Sequence, residues 1–367
     1  MTGTRIAAHD VSGTTRPTPF VGPLDEVLRA ERPPAVARGA ARLSAEVAAI
    51  AAAGDLLETG EASSSAIDAV TRQLLDLGTA QLGEPPVPWA WLALGSGARR
   101  EQGIVTDQDN ALAFEPGDRD LEEVDGYFRG LATFVNGGLE AAGIPRCRAD
   151  VVASNRSFRR PVKHWLHAFS TWMSDTRIQS LRHTAILFDH RRVAGPLEVE
   201  GVFRSAILSS PAHDAYIHRL LDTTGGRGPA WLWRVRRTLD VKHDGLIPVV
   251  GLARALALYA GIGGASTVER LRGAADLGLL DRDDARTLEA TFRELWAARH
   301  AYQVNAVANG YPPREDIAAS ELTRSRRARV RQAMIAARTT RDRVVQAWHG
   351  STMMVQRAPS PVAAVGR

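Results

Sequence analysis

The chain is poor in cysteine, in lysine, in aromatic residues and in long apolar runs, and each shortage excludes something. One cysteine, Cys147, in 367 residues rules out an internal disulfide and a cysteine-built zinc cage. Its simplest reading is a small buried hydrophobe. Lysine occurs only at Lys163 and Lys242 although the chain carries 46 basic residues. Arginine therefore supplies nearly all the positive charge, and a retained lysine would mark a place that needs a compact ammonium. No apolar run is long enough to span a bilayer, and the opening MTGTRIAAHDVSGTTRPTPF lacks the apolar core of a signal peptide, so a cytoplasmic protein with no membrane partner is expected. Net charge is +5, and the one basic cluster, Arg324 to Arg331, has the spacing of a solvated helix face without interleaved aromatics. Nucleic acid is not expected as a partner.

What is present is an ordinary globular composition, 44% hydrophobic and 24% charged, over a length that suits two domains. The most informative stretch runs from Trp89 to Glu115. An apolar run, Trp89 to Leu94, ends in Gly95-Ser96; a polar turn with Arg99 and Arg100 follows; then Asp107 and Asp109 open a second apolar run, Ala111 to Phe114. This reads as strand, phosphate-sized turn and strand. On an extended chain, residues two apart face the same way, so Asp107 and Asp109 can share one divalent cation while Gln108 and Asn110 take the other face. Paired hard oxygen ligands suit Mg²⁺ (or Mn²⁺) carrying a nucleoside triphosphate.

Taken in order, residues 1–22 are expected to be disordered and 23–86 to form a helical hairpin of structural support, with Ala35–Ala53 and Ser65–Leu82 as its longer helices. A domain over 87–160 would hold the two strands, a helix over Leu121–Ala142 stopped by Gly143, and a third strand over Arg146–Ser154. In that third strand Asp150 is an acid in an apolar stretch, either paired at an edge or a third carboxylate beside Asp107 and Asp109. Residues 161–350 read as a helical bundle, with helices near 161–175, 198–222, 230–241, 246–260, 266–277, 281–309 and 319–348 and one possible strand at 184–188. The tail, 351–367, is expected to be disordered. Within the bundle, Asp240-Val241-Lys242-His243-Asp244-Gly245 combines the bundle's second lysine with a glycine and a helix start, which can aim an ammonium and free N–H groups at phosphate. The histidines at 164, 167, 183 and 190 show no metal-ligand pattern.

The Gly95-Ser96 turn with Asp107 and Asp109 resembles the active-site signature of the polymerase-β-like nucleotidyltransferase superfamily. More narrowly, the chain resembles a bacterial family of signal-transduction nucleotidyltransferases catalogued as a domain of unknown function. The matching residues are Trp91 through Ser96, Arg99 with Glu101 and Gln102, Thr106 through Asn110, Cys147 with Ala153 through Asn155, Phe188 and Asp189 with Arg191, Asp240 through Lys242 with Gly245, Ala253 and Arg254 with Ala257 and Leu258, Thr267 with Glu269 through Leu271, and Gln303. That family is similar to the uridylyltransferase of the PII nitrogen-signalling protein and to the adenylyltransferase of glutamine synthetase, which carry a lysine-glycine segment like the one around Lys242. The chain departs from the family at Ala98, often glycine, and at Arg100, where a small residue is usual.

The resemblance implies an α+β fold, a small polymerase-β-like sheet domain followed by an all-α substrate-binding domain. It implies transfer of a nucleoside monophosphate from NTP, UTP or ATP, to an acceptor protein by a two-metal mechanism. In that scheme Gly95, Ser96, Arg99 and Lys242 bind the triphosphate, and Asp107, Asp109 and Asp150 hold the metals. A nucleotide-sensing module without transfer, an RNA-end nucleotidyltransferase and a small-molecule nucleotidyltransferase remain as other readings of the same residues.

Overall fold

The computed structural model describes residues 21–351 except 54–55, 105, 178–180, 182–184, 226–236, 264–265 and 312–315. The expected disordered ends therefore lie almost wholly outside the described residues. Three helices open the described chain: α1 (Val21–Leu28), α2 (Pro33–Ala53) and α3 (Leu56–Leu82). Pro33 and Pro34 sit in the first turn of α2, where a missing N–H costs nothing and the fixed φ favours the helix.

Next come β1 (Trp89–Leu94), a single turn α4 (Gly95–Ala98), β2 (Asn110–Phe114), α5 (Leu121–Ala141), β3 (Arg159–Pro161), α6 (Val162–Ser174) and β4 (His190–Ala194). The four strands form one mixed sheet in the order β3-β2-β1-β4, with β1 antiparallel to both neighbours and β3 parallel to β2. Strand alternation sends the two faces of the sheet into two different cores. Trp89 and Trp91 of β1 and Leu112 and Phe114 of β2 pack with α1 to α3 and with the apolar face of α5. Ala90, Leu92 and Leu94 of β1 and Ala111 and Ala113 of β2 face a second core built with the later helices. The sheet is thus the middle layer of three, and the amino-terminal helices form an outer layer. Close approach of α3 to α5 is set by Gly138, where a Cβ would come within 2.5 Å of Leu74.

The later helices are α7 (Glu200–Leu208), α8 (His213–Thr223), α9 (Ile247–Ala260), α10 (Thr267–Asp276), α11 (Arg282–Ala308) and α12 (Arg324–Ser351), with a two-stranded ribbon of β5 (Thr238–Asp240) and β6 (Asp316–Ala318). The molecule is therefore α+β, a small mixed sheet with a helical carboxy-terminal region. No described helix is long and apolar enough to cross a membrane.

Five expectations are corrected. Residues 146–154 are not a strand: Arg146 makes one bridge to Gln108, and the chain then turns, with Asp150 N–H donating to the Cys147 carbonyl at 2.9 Å. Beside one backbone bond, from Asn110 N–H to the Val151 carbonyl at 3.1 Å, side-chain amides hold the segment, since Asn110 Oδ1 accepts from Ala153 N–H and Asn136 Oδ1 from Ser154 N–H. Residues 185–188 are helical, and the strand follows them at His190–Ala194. Its arginines masked it, and they leave the sheet through ion pairs with Asp68 and Glu198. Residues 238–240 are strand rather than helix, and the span 198–222 is two helices broken around Pro211. Finally, β4 carries the sheet past residue 160, so the sheet domain does not end there.

Gly195, just after β4, has φ +93° and a Cβ there would lie 2.2 Å from the Trp89 carbonyl oxygen. Gly195→Ala should cost at least ~3 kcal/mol, because backbone strain and a clash with β1 add. Gly117→Ala, at φ +57° but with nothing within 4 Å, should cost only about 1 kcal/mol. Urea unfolding of both variants checks the difference, and equal losses would contradict the assigned contact.

Candidate active site

At the end of β1 the chain enters the left-handed region at Gly95, φ +55°, and winds into the one turn of α4. Glycine also provides room: a Cβ at Gly95 would sit 3.3 Å from Asp109 Oδ2. The Gly95 N–H donates to the Asp189 carbonyl at 2.9 Å, and Leu94 N–H donates to the Asp109 carbonyl at 3.0 Å, so turn and acid are fixed to each other through the backbone. Asp107 and Asp109 both line a small pocket of about 30 Å³ shared with Gly97 and Gln102. The Ser96 hydroxyl has no intramolecular partner among the described residues.

Asp109 is largely buried, and its Oδ1 is enclosed without any hydrogen-bond partner. Burial, reinforced by the charge of Asp107, pushes its carboxyl up to about 6, against smaller opposing effects of the Cys147 thiol, Lys242 and Arg99. A buried carboxylate oxygen with nothing to bind, beside a second carboxylate, is a donor set that a hard divalent cation completes. The residues present fit Mg²⁺ or Mn²⁺. Cys147 is not the inert hydrophobe expected: it is half-buried and hydrogen-bonds Asp109, and burial together with that charge pushes its thiol up to about 11. Lys242, in a π-helical stretch Lys242–Leu246 that leads into α9, is close enough for its charge to act on Asp109.

Beneath the acids, Gln108 and Asn110 point the other way, as alternation requires, and both meet Asn136 of α5. Asn136 Nδ2 donates to Gln108 Oε1 at 2.8 Å and to Asn110 Oδ1 at 3.0 Å, while Gln108 Nε2 donates to the Asn136 and Ile144 carbonyls. This amide cluster fixes the register of the acid-bearing strand against the helix. Its sequence signal is a lone asparagine on the apolar face of α5, between Val135 and Leu139.

Arg99 does not reach out for phosphate. It is buried, with Nε donating to Glu101 at 2.7 Å and Nη1 paired to Asp189. Burial alone would lower its pKa, but Asp189 and Glu101 outweigh that and raise it. Asp189 is fully enclosed and also pairs with Arg254 of α9 and Arg270 of α10. Burial would push its carboxyl up; Arg254, Arg270 and Arg99 together hold it far below the usual carboxylate range. Glu101 in turn accepts from the Thr267 N–H and from Thr267 Oγ1 at 3.0 Å, at the start of α10, where a negative charge suits the helix dipole. The amino-terminal helices contribute as well. Asp68 of α3 is buried and takes both terminal nitrogens of Arg191, at 2.8 and 3.0 Å, and Arg191 also donates to the Gly97 carbonyl in α4. The hairpin expected to be plain support thus braces the turn.

Asp150 is placed differently from the third-carboxylate reading. It is exposed, has φ +54°, and accepts from Asn155 Nδ2 at 2.8 Å. Among the described residues no three His, Cys, Asp or Glu side chains gather as a metal site. The burial argument that singled out Asp150 therefore falls with the strand that was to carry it. Of the two departures in the turn, Arg100 holds a left-handed φ of 55° and donates to Ser65 of α3 at 3.1 Å, and Ala98 is buried. Gly103, on the loop toward the acids, lies against α11, where a Cβ would come within 3.1 Å of Gln303 Oε1 and 3.3 Å of His300 Nε2.

The Asp109 shift makes a pH prediction. A carboxyl raised from 3.8 to about 6 on folding favours the protonated fold, so its contribution is present at low pH and is lost as pH rises through about 6. In divalent-free buffer, Asp109→Asn should match the parent near pH 4 and exceed it by ~2–3 kcal/mol at pH 8. Added Mg²⁺ should stabilise only the parent and close the gap. Chemical unfolding at the two pH values checks this, and an Asn variant that is no more stable than the parent at pH 8 contradicts the assignment.

Residues 41–179 match the family model described as "Putative nucleotidyltransferase DUF294". Residues 232–347 match its companion, described as "Putative nucleotidyltransferase substrate binding domain". No curated protein matches the chain. The first match contains the Gly95 turn, both acids and Asn136, and the second contains Lys242, Arg254 and Arg270. With the two matches covering more than half of its length, in the order sheet region then helical region, the chain belongs to this nucleotidyltransferase family.

Proposed function

We propose that the protein transfers a nucleoside monophosphate from UTP or ATP to a hydroxyl of an acceptor protein, and that the acid pair at the Gly95 turn is where it does so. The observation that carries this reading is the enclosed, unpartnered Oδ1 of Asp109 beside Asp107. A divalent cation, Mg²⁺ or Mn²⁺, held by Asp107 and Asp109 would neutralise the triphosphate and make the α-phosphorus more electrophilic. Gly95 keeps the turn open beside Asp109, and the Ser96 hydroxyl is available to donate to a phosphate oxygen. Lys242 brings an ammonium from the helical region toward the acids, so the nucleotide would lie between the sheet and the bundle. The acceptor oxygen bonds to the α-phosphorus, the bridge to the β-phosphate breaks, pyrophosphate leaves and the hydroxyl proton passes to water. Arg99 and Asp189 hold the turn in place and touch no reacting atom, and no step is given to Asp150. A protein acceptor is supported by the similarity of the Lys242 segment to the protein-modifying uridylyl- and adenylyltransferases. The second reading, a module that binds NTP without transferring it, is favoured by the absence of a third acid from the described site.

Incubation with each α-labelled NTP and a host lysate should label a protein band, and pyrophosphate release should require Mg²⁺ or Mn²⁺. Asp107→Asn and Asp109→Asn should each lose several kcal/mol of transition-state stabilisation, roughly a thousandfold in rate. Lys242→Arg should fall nearly as far as Lys242→Ala, because a planar fork cannot replace a point charge in an enclosed site, whereas the exposed Lys163 should tolerate arginine. NTP binding without pyrophosphate release would establish the sensing module instead. Full turnover in both acid variants would remove the site altogether.

A further inference from the structure

A second cavity, of about 220 Å³, lies on the other side of α4, between β4 and the helices α7, α9 and α10. Neither Asp107 nor Asp109 lines it, and neither does Gly95 or Ser96. Its polar wall holds four arginines, Arg191, Arg204, Arg254 and Arg270, against two carboxylates, Asp189 and Glu200. His190 adds no charge at neutral pH: burial lowers its pKa, and its Nδ1 donates to the Leu187 carbonyl at 3.0 Å. Arg191 is matched by Asp68 outside the wall, so the wall keeps an excess of one positive charge. Backbone carbonyls at the end of α9 do not offset it, since those of Ala257 and Leu258 already accept from Ile262 N–H and from Gly261 N–H and His213.

The arginines differ in how committed they are. Arg254 spends Nε and Nη2 on Asp189, at 3.0 and 2.7 Å, and its Nη1 has no partner among the described residues. Arg204 is exposed, crosses Gly263 so closely that a Cβ there would lie 2.9 Å from its guanidinium, and has no carboxylate partner among the described residues. The opposite wall is apolar, formed by Ile207, Leu208 and Ile262. A volume near 220 Å³ is below the ~300–1,000 Å³ of pockets for drug-sized ligands, which suits a small molecule.

We infer that this cavity is a binding site for a small organic dianion, a phosphate monoester with a compact apolar body, separate from the acid pair. Two guanidiniums with unspent N–H groups give the planar donor geometry that phosphate oxygens accept. The hydrocarbon wall takes the ester group. Because Arg254 and Arg270 also hold Asp189, whose carbonyl accepts the Gly95 N–H, a ligand here reaches the phosphate turn through a single residue. The site does not depend on the transfer reaction, and binding can be tested without turnover.

The probe is phenyl phosphate, titrated calorimetrically into the full-length protein in EDTA, with phenol and inorganic phosphate as separate arms. The expected result is one site that prefers phenyl phosphate at least tenfold over each of the other two. Arg204→Glu, an exposed change that the fold should tolerate, is expected to weaken binding tenfold or more. Asp107→Asn should bind as the parent does. No heat at millimolar phenyl phosphate, equal binding of phenol or of inorganic phosphate, indifference to Arg204→Glu, or loss of binding in Asp107→Asn would each overturn the inference.

Discussion

One buried carboxylate meets three guanidiniums, and the remaining architecture is arranged to keep it there. Asp189 takes Arg99 from the turn after β1, Arg254 from α9 and Arg270 from α10, while its own carbonyl accepts the Gly95 N–H. A buried charge is costly unless it is paired and hydrogen-bonded, and removing one partner of such a set leaves an uncompensated ion. The pairing therefore acts as a specification more than as glue. The observed arrangement of sheet, turn and bundle satisfies these groups together, and it puts Asp109, just before β2, against the glycine at the end of β1.

The acid pair lives under the opposite condition. Asp109 is buried with an unpartnered oxygen and a like charge nearby, and its neighbours Cys147 and Lys242 offset this only in part. An interior that pairs both amide groups of Gln108 and of Asn136 could have paired Asp109 too. Local instability at one carboxylate, held by a hydrogen-bonded amide cluster directly beneath it, is the pattern of a site that stores affinity for a ligand. Asp68 and Arg191 complete the support from the amino-terminal side, so the two layers that flank the sheet converge on one turn.

Much of this could be read in the chain and some could not. The strands over Trp89–Leu94 and Ala111–Phe114, the helix from Leu121 and the shared face of Asp107 and Asp109 are legible because alternation, amphipathic spacing and a glycine stop are local signals. The strand at His190–Ala194 was hidden because its outward residues are arginines, whose strand role depends on carboxylates more than a hundred residues away in the case of Asp68. Arg99 shows a related limit: a guanidinium beside a phosphate-sized turn reads as an anion ligand, whereas in the structure it is paired with the buried Asp189 and with Glu101. Asp150 was drawn in by an apolar context that turned out to be a left-handed turn stabilised by Asn155. Asp189 and Asn136 act through partners distant in sequence, and Glu101 joins its neighbour Arg99 to the distant Thr267; no spacing rule in one sequence exposes such roles.

If Asp189 joins bundle and turn, a change made in the bundle must be felt at the turn. Arg270→Met removes one of the three guanidiniums from α10 and leaves Asp189 paired to the other two. Native-state hydrogen exchange on this variant should show protection of the amides from Gly95 to Gln102 falling at least tenfold, with Leu112 to Phe114 in β2 unchanged. Loss of protection confined to α10 and its immediate neighbours, with the turn as slow to exchange as in the parent, would contradict the account.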